Sequence, residues 1–333
     1  MKKRILGAAL VFFAFPAIAG AFDYALYVQV DDTVHIIDRD AGEYAGSYVF
    51  QGGGIPSLWP TPGGAAVFVS DNDNVEIFSA ETGRPEGGFE DDWSDIGDLS
   101  FVPTGERVFI LDRGRGKIDV YQHRKLSLEH SGSIDFPAGE FGNVVFNGRG
   151  TRYFALGQED GASLLVGGDG INGRVLSSLE LDFEAQLLRV SGNDRFAWIA
   201  GTEQLVLADL RKNKIIRKIT GSFTPKTLVI EENGNRTIVL NDENNEIIAF
   251  NRQNGKKLLA SAIPAGYTSL LLDEEDNVWL IPHSTSLPFL VLTIKGNRTV
   301  ESRNAEIAGL PDSLRIGSAA LGSRKYGGNF ACF

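Results

Sequence analysis

Two acidic clusters contain the residues of this chain best suited to bind a metal ion. Asp71 and Asp73 stand in the run Asp71-Asn72-Asp73-Asn74, and Asp242 opens the run Asp242-Glu243-Asn244-Asn245. Calcium prefers carboxylate and amide oxygens as ligands, so Asp71, Asp73 and Asp242 are candidate calcium ligands. Asp and Asn are also common in turns, because their side chains hydrogen-bond the nearby backbone. A calcium site and an ordinary turn are therefore the two interpretations of each cluster.

Other catalytic patterns are weak. The chain has 4 histidines and 1 cysteine, and no histidine pair has the spacing of ligands on one helix. Residues 168–173 fit the pattern Gly-x-Gly-x-x-Gly, but a strand-like segment follows them where a dinucleotide site needs a helix. This segment therefore predicts a glycine-rich hairpin. No Gly-x-Ser-x-Gly pattern occurs, and sequence leaves a Ser–His–Asp triad open because the fold brings its members together.

Aromatic residues stand near acidic ones in several predicted loops. Trp93 lies within the acidic run 90–95, and aromatic residues in acidic surroundings suit a protein partner or a small cationic ligand. The alternative is that these aromatics pack between strands, and for Trp93 the two interpretations are equally supported. We predict one binding face that contains the following residues: Asp71, Asp73, Trp93, Phe141, Phe223, Asp242 and Tyr267.

A repeated anchor of the form apolar–aromatic–apolar indicates which elements hold these loops. Its centres are separated by 41, 41, 45, 44, 41 and 40 residues. A period near forty with strand-like units is typical of a β-propeller, with one four-stranded blade per repeat. The fold class is therefore all-β, and the count is seven blades, with six or eight as alternatives. The anchor centres are Tyr27, Phe68, Phe109, Phe154, Trp198, Val239 and Trp279.

A second set of residues recurs with the same period. Residues 42 and 83 are separated by 41 positions, as are residues 255 and 296. Gly and Asn tolerate the positive φ that a short hairpin requires. The predicted turn residues are Gly42, Gly83, Asn213, Gly255 and Gly296.

The two ends of the chain are expected to share a blade. No inner strand precedes the anchor at Tyr27, whereas residues 314–321 form a spare apolar strand near the C-terminus. We predict that this strand completes the first blade and closes the ring, which removes the open sheet edges.

Residues 1–19 have the features of a secretory signal peptide. Lys2, Lys3 and Arg4 precede an apolar stretch over 5–15, which is too short to span a bilayer. Residues 17–19, Ala-Ile-Ala, fit a cleavage site. We expect cleavage after Ala19, with cleavage after Ala21 as the alternative. The mature chain is then one domain over residues 20–333 and a periplasmic or secreted protein with no membrane insertion.

The charge of the chain limits its partners. The net charge of −11 predicts no binding to nucleic acid, disfavours an anionic membrane and favours basic or cationic partners. Cys332 is the single cysteine, so an intramolecular disulfide is excluded, and it either pairs with another chain or stays a free thiol.

Three repeats resemble those of the YVTN family of bacterial propellers. Residues 67–83 carry the clearest match, and residues 26–42 and 239–255 carry it too. The family repeat reads aromatic–Val–Thr–Asn, a polar loop, Val-x-Val-Ile-Asp and Thr-x-Gly; here Ser70-Asp71 or Asn241-Asp242 replaces Thr-Asn. The resemblance implies an exported seven-bladed propeller, similar to surface-layer propellers and to the heavy subunit of quinoprotein amine dehydrogenases. It transfers no catalytic residue, since amine dehydrogenase chemistry lies in a separate light subunit.

The leading hypothesis from sequence is a non-enzymatic binding module that docks a protein or a small ligand on the acidic–aromatic face at the channel mouth. The alternatives are a metal-dependent, lactonase-like hydrolase and a non-catalytic propeller subunit of a periplasmic dehydrogenase complex. A fold alone does not choose between them, because propellers support many activities.

Overall fold

The computed structural model describes residues 24–51, 57–62, 64–71, 73–80, 83–90, 92–102, 105–124, 127–135, 140–147, 149–159, 162–221, 224–231, 234–296, 299–305, 307–311 and 314–323. The predicted signal peptide, Phe223 and Cys332 lie outside these residues. Among the described residues, no helix is long and apolar enough to cross a bilayer.

The regular elements are short β-strands, as the alternating and apolar runs predict. In chain order they are β1 (Tyr24–Val30), β2 (Thr33–Asp38), β3 (Glu43–Val49), β4 (Ser57–Pro60), β5 (Ala66–Ser70), β6 (Asn74–Ser79), β7 (Pro85–Glu90), β8 (Ile96–Phe101), β9 (Arg107–Asp112), β10 (Lys117–Arg124), β11 (Ser127–Asp135), β12 (Glu140–Phe146), β13 (Arg152–Glu159), β14 (Ala162–Asp169), β15 (Val175–Leu181), β16 (Ala185–Val190), β17 (Phe196–Gly201), β18 (Gln204–Asp209), β19 (Lys214–Thr220), β20 (Pro225–Ile230), β21 (Arg236–Asn241), β22 (Glu246–Asn251), β23 (Lys257–Ala262), β24 (Tyr267–Leu272), β25 (Val278–Pro282), β26 (Phe289–Lys295), β27 (Thr299–Ala305) and β28 (Ile316–Ser323).

These strands form seven antiparallel four-stranded sheets, which are the blades of a seven-bladed β-propeller. Blades two to seven each use four consecutive strands, starting from β4, β8, β12, β16, β20 and β24 as the innermost strand. The first blade has the order β28-β1-β2-β3, so the last strand of the chain is its inner strand. The predicted fold, blade count and ring closure are confirmed.

The closing strand pairs with β1 along its length, with one register shift between Gln29 and Val30, and a buried ion pair joins the same two blades. Val28 pairs with Ala319, and Leu26 with Leu321. Arg39, in the outer turn of blade one, donates both guanidinium nitrogens to Glu274, in the inner turn of blade seven, with Nη1 and Oε2 separated by 2.7 Å. Both side chains are largely buried. Because the pair is bidentate, it joins the first and last blades with a defined geometry.

The core is divided into seven apolar clusters, and each cluster lies between two neighbouring blades. The repeated anchor occupies the second strand of each blade, and its central side chains are buried, as at Phe68 and Trp198. Trp198 packs in the cluster between blades five and six and donates its indole N–H to the carbonyl oxygen of Arg252 at 3.1 Å. The central residue of the anchor therefore packs against the neighbouring blade.

The outer hairpins repeat one turn design. In four blades the third strand ends at an Asp or Asn, namely Asp38, Asp169, Asp209 or Asn251. One side-chain oxygen of this residue accepts backbone N–H bonds from the residues two and three positions later. The residue four positions later then takes a positive φ, which Gly and Asn adopt most readily. All five predicted turn residues have this conformation, with φ from 48° at Asn213 to 68° at Gly42.

The Gly-x-Gly-x-x-Gly segment is one of these hairpins. Residues 170–174 join β14 to β15, and Gly173 has a φ of 73°. Its amide donates to the carbonyl of Asp169 at 2.9 Å. The prediction of a glycine-rich hairpin is confirmed, since the segment opens a strand rather than a helix.

Removal of the closing strand should abolish cooperative folding. A chain that ends at residue 313 lacks β28, so it leaves β1 unpaired on one edge and exposes the apolar cluster that contains Leu321 and Ile316. We expect calorimetry to show a broad transition or none, because each blade depends on its neighbours. A control chain that ends at residue 323 keeps β28 and should unfold like the full chain. An unchanged Tm for the shorter chain would contradict the role of this strand.

Candidate functional site

The chain direction within each blade defines two faces of the ring. Because strands alternate in direction, the loops between the second and third strands lie on the same face as the connections between blades. We call this face the acidic face. Its exposed carboxylates belong to Asp31, Asp32, Asp73, Asp92, Asp182, Glu184, Glu203, Asp242 and Glu243.

Cations on the acidic face are mostly neutralised by carboxylates. Arg113 pairs with Asp95 at 2.9 Å, and Lys226 pairs with Asp242 at 2.9 Å. Arg115 pairs with two buried carboxylates, while Arg315 is exposed. The face therefore keeps a surplus of exposed negative charge, which attracts cationic groups at a range set by salt.

Asp71, Asp73 and Asp242 occupy turns and do not converge with one another on a cation site. Asp71 Oδ1 accepts backbone N–H bonds from Asp73 at 3.4 Å and from Asn74 at 3.1 Å. This is the turn interpretation of the first cluster, and Asp242 binds Lys226 as described above. Across the described part of the chain, no group of three or more His, Cys, Asp or Glu side chains has the arrangement of a metal site. Calcium binding stays a prediction without support from this geometry.

The predicted aromatic residues have buried or undescribed side chains. Trp93 is 4 % exposed and Tyr267 is 5 % exposed. The hydroxyl of Tyr267 donates to the carbonyl of Pro288 at 2.9 Å, and the ring packs between blades six and seven. Phe141 lies in β12, but its side chain is outside the described atoms, as is all of Phe223. The sequence supported packing and surface binding equally for Trp93, and in the structure its side chain is packed.

Trp93 belongs to a polar cluster of blade three that is centred on Asp119. Its indole N–H faces Asp119 Oδ2 at 3.3 Å, and its ring meets that of Tyr121 edge-on, with centroids 5.9 Å apart. Arg115 donates to the same oxygen of Asp119 at 2.6 Å and to Asp112 Oδ2 at 2.5 Å. Burial tends to raise the pKa of Asp112, but hydrogen bonds from Ser94 and Arg115 outweigh it and lower the pKa below its usual value.

The same cluster contains a serine, a histidine and an aspartate, but not in the geometry of a triad. His130 Nε2 lies 3.3 Å from Ser133 Oγ and 3.7 Å from Asp119 Oδ1. Ser133 Oγ donates to Asp119 Oδ1 at 2.5 Å. In a triad the carboxylate and the hydroxyl contact opposite ring nitrogens, whereas here both approach one nitrogen. This group therefore lacks the proton relay of a serine hydrolase.

Polar side chains on the inner strands connect neighbouring blades. Asp98 Oδ2 in blade three accepts the N–H of Val144 at 3.1 Å and the side-chain amide of Asn143 at 2.9 Å, both in blade four. Asn143 Oδ1 in turn accepts the N–H of Leu188 in blade five at 3.1 Å. Each acceptor follows a register shift in its strand, so the bulge aims the side chain at the next blade.

The connection recurs between blades six and seven and, among the described residues, is absent between blades five and six. Thr227 Oγ1 in blade six accepts the N–H of Leu270 in blade seven at 3.1 Å. The equivalent position in blade five is Leu187, which has no polar group to offer blade six. This series was not among the residues predicted from sequence, although Asp98 and Asn143 are one repeat apart. The signal in the sequence is a polar residue in an otherwise apolar inner strand.

Asp98 is the ionisable member of this series, and its burial shifts its pKa. Desolvation raises its pKa to about 6, against the opposing effects of the Val144 amide, Arg189 and Asn143. The carboxyl thus changes charge in a mildly acidic range, where most carboxyls are already ionised.

Comparison with known proteins shows the fold of this chain but not its family. No protein-family model matches the chain, and no curated sequence matches it. Among solved structures, the Kuenenia stuttgartiensis hydrazine synthase is similar, with a TM-score of 0.63 and 12% identity, over 83% of this chain and 90% of that chain. At this identity the likeness shows the seven-bladed propeller architecture and does not show membership of the YVTN family.

Replacing Trp93 by Ala should destabilise the fold. The substitution leaves a cavity beside Tyr121 and deprives Asp119 of a donor, so we expect a loss of about 3–5 kcal/mol in the free energy of unfolding. Guanidinium denaturation measures this loss. Trp93→Phe, which keeps a ring but not the N–H, should lie between the wild type and Trp93→Ala. An unchanged midpoint for Trp93→Ala would show that the side chain is not a packing residue.

Asp98 should give stability an acidic pH dependence that Asp98→Asn lacks. Well below about pH 4 the carboxyl is protonated in the folded and unfolded chains alike; between about pH 4 and about 6 the unfolded chain ionises while the folded chain stays largely protonated, and above about 6 both ionise. Stability relative to Asp98→Asn should therefore fall over this range, by up to about 3 kcal/mol at about 1.4 kcal/mol per pKa unit. Denaturation at several pH values measures the difference, with Asp73→Asn as the exposed control. A flat difference would place Asp98 in a solvated environment.

Proposed function

We propose that this chain is an exported, non-catalytic propeller whose acidic face binds a positively charged surface of a partner protein. The surplus of exposed carboxylates on that face is the observation that carries the proposal. Charges at a rim steer association and select partners more than they add affinity. A rigid ring with short loops suits this task, because its binding groups are held in place before the partner arrives.

The partner's chemistry follows from the spacing of these carboxylates around the ring. Asp32, Asp73, Glu203 and Glu243 are exposed and lie in loops of blades one, two, five and six. A small cation would contact one or two of them, whereas a protein surface that carries several Lys or Arg residues would reach many. We therefore favour a basic protein over a small ligand.

Export rests on residues 1–19, whose charged, apolar and small-residue segments follow the order of a signal peptide. The role of non-catalytic subunit in a periplasmic dehydrogenase complex is a specific form of the same proposal, since such a subunit also works by binding a partner. A lactonase-like hydrolase has less support, because it needs convergent ligands for a divalent ion and the described side chains offer no such group.

Neutralising the acidic face should weaken binding to a basic probe more than an equal charge change elsewhere. The test variant carries Asp73→Asn, Glu184→Gln, Glu203→Gln and Glu243→Gln. The matched control carries Glu43→Gln, Glu106→Gln, Glu129→Gln and Glu275→Gln, which are exposed positions away from this face. With an immobilised lysine-rich peptide, we expect Kd to rise at least about tenfold for the test variant and far less for the control.

Two outcomes of this experiment would count against the proposal. Equal weakening of both variants would show that binding follows net charge rather than a face. Binding that does not weaken with added salt would show that the contact is not electrostatic. Thermal unfolding of both variants confirms that the fold is retained.

A further inference from the structure

The face opposite the acidic face has the reverse charge over blades four, five and six. Three outer hairpins lie there: residues 170–174, 210–213 and 252–256. Their exposed charged side chains, together with those at the adjoining strand starts, are all basic. We call this group the basic rim, and it consists of Arg174, Arg211, Lys212, Lys214, Lys256 and Lys257.

Carboxylates near the basic rim are engaged in the turns themselves. Asp209 is buried and accepts the N–H groups of Arg211 and Lys212 at 3.0 Å each. Asp169 accepts the N–H groups of Ile171 and Asn172, and these bonds lower its pKa. These carboxylates cap the turns, so the cationic side chains point outward as a surplus.

The three hairpins form one continuous surface. Asn213, in the turn of blade five, donates its side-chain amide to the carbonyl of Ser178 on the outer strand of blade four at 2.8 Å. Arg217, on the outer strand of blade five, lies against the turn of blade six, with Nη1 3.5 Å from the carbonyl oxygen of Asn254. The basic residues of neighbouring turns therefore belong to one surface, which a single large ligand can contact.

Exposed aliphatic side chains stand among these cations. Ile171 is 70 % exposed at the tip of the blade-four hairpin, and Val175 and Leu176 follow it on the same hairpin. Ile216 on β19 is also exposed. These are four of the six large hydrophobic side chains that are exposed in the described part of the chain, so their concentration here is a property of the surface and not general scatter.

A groove adds apolar area beside the rim. It lies between the outer edges of blades five and six and has a volume of about 280 Å³. Arg217 and Lys257 lie at this groove, and Ile219, Ile248 and Phe250 contribute its apolar lining.

We propose that the basic rim binds the surface of a bilayer that contains anionic phospholipid, with Ile171 entering the headgroup layer. Lys and Arg side chains are attracted to anionic lipid from outside the layer, while exposed aliphatic groups gain by burial at its boundary. Basic residues together with protruding aliphatics are the combination that this surface requires. Nucleic acid would use the cations but offers nothing to Ile171, Val175 and Leu176.

The proposal differs from the expectation set by net charge. A net charge of −11 disfavours an anionic membrane if the charges are evenly distributed. In the folded ring, however, exposed carboxylates are concentrated on the acidic face, and the exposed charges of the three hairpins are basic; the carboxylates of the opposite face, such as Glu43, Glu106 and Glu275, lie in other blades. The attachment is peripheral and leaves the acidic face directed away from the bilayer, so it is independent of the proposed partner site.

The test measures binding of the purified mature chain to vesicles by flotation. Vesicles of phosphatidylcholine with a minority of phosphatidylglycerol should bind the chain, and vesicles of phosphatidylcholine alone should not. The rim variant carries Arg211→Gln, Lys212→Gln, Lys256→Gln and Lys257→Gln. The matched control carries Arg113→Gln, Lys295→Gln, Arg303→Gln and Arg315→Gln, which change the net charge equally at exposed positions elsewhere.

We expect the rim variant to lose at least about tenfold in partition coefficient and the control to lose little. Ile171→Ser keeps every charge, so it should lose several-fold and leave a residual binding that is more sensitive to salt. Circular dichroism checks that each variant is folded.

Three results would overturn the proposal. The first is equal binding to the two vesicle types, and the second is equal binding of the rim and control variants. The third is rim-dependent binding to a polyglutamate peptide without binding to vesicles, which would assign the rim to an acidic protein instead.

Discussion

Burial of apolar sheet faces between neighbouring blades is the constraint on which the rest of this structure depends. A single four-stranded blade has two faces and no core of its own, so it is stable only between two others. The seven apolar clusters lie at the seven junctions between blades. A ring satisfies this requirement for every blade, provided that the chain returns to its start. The pairing of β28 with β1 and the buried Arg39–Glu274 pair provide that return.

Hydrogen bonds then fix the ends of the strands, where sheet pairing stops and backbone groups need other partners. Short polar side chains do this at the inner turns as well as the outer ones: Thr61, Asn147, Ser191 and Asp273 are buried, and each accepts an N–H from its own turn. Glu231 takes the same place in blade six but pairs with Arg236 at 2.5 Å. Burial raises the pKa of Glu231 in spite of that partner. Local order at the strand ends thus holds the loops that form both faces.

The fold was predictable from sequence because its determinants repeat. The anchor centred on Phe68 recurs, as does the turn residue Gly83, and two features that share one period leave few architectures. The candidate site was harder to predict from sequence, because the residues that form it do not repeat. The sequence around Trp93 is compatible with an exposed or a buried side chain. Only the positions of Tyr121 and Asp119 in the structure show that Trp93 packs inside the protein. The reversal of charge between the acidic face and the basic rim depends on which loops share a face, so it becomes visible only when Arg174 and Lys212 are placed on the ring.

The separation of charge between the two faces has a consequence for how the molecule moves before it touches anything. The acidic face and the basic rim carry opposite charges and lie on opposite sides of the ring, so together they contribute an electric dipole moment with a component along the propeller axis. In the field of a charged surface, such a molecule experiences a torque as well as a net force. The torque acts over distances comparable to the Debye length, about 8 Å at physiological ionic strength. The ring would therefore reach a charged surface with its oppositely charged side already directed towards that surface, so fewer orientations need to be sampled before contact.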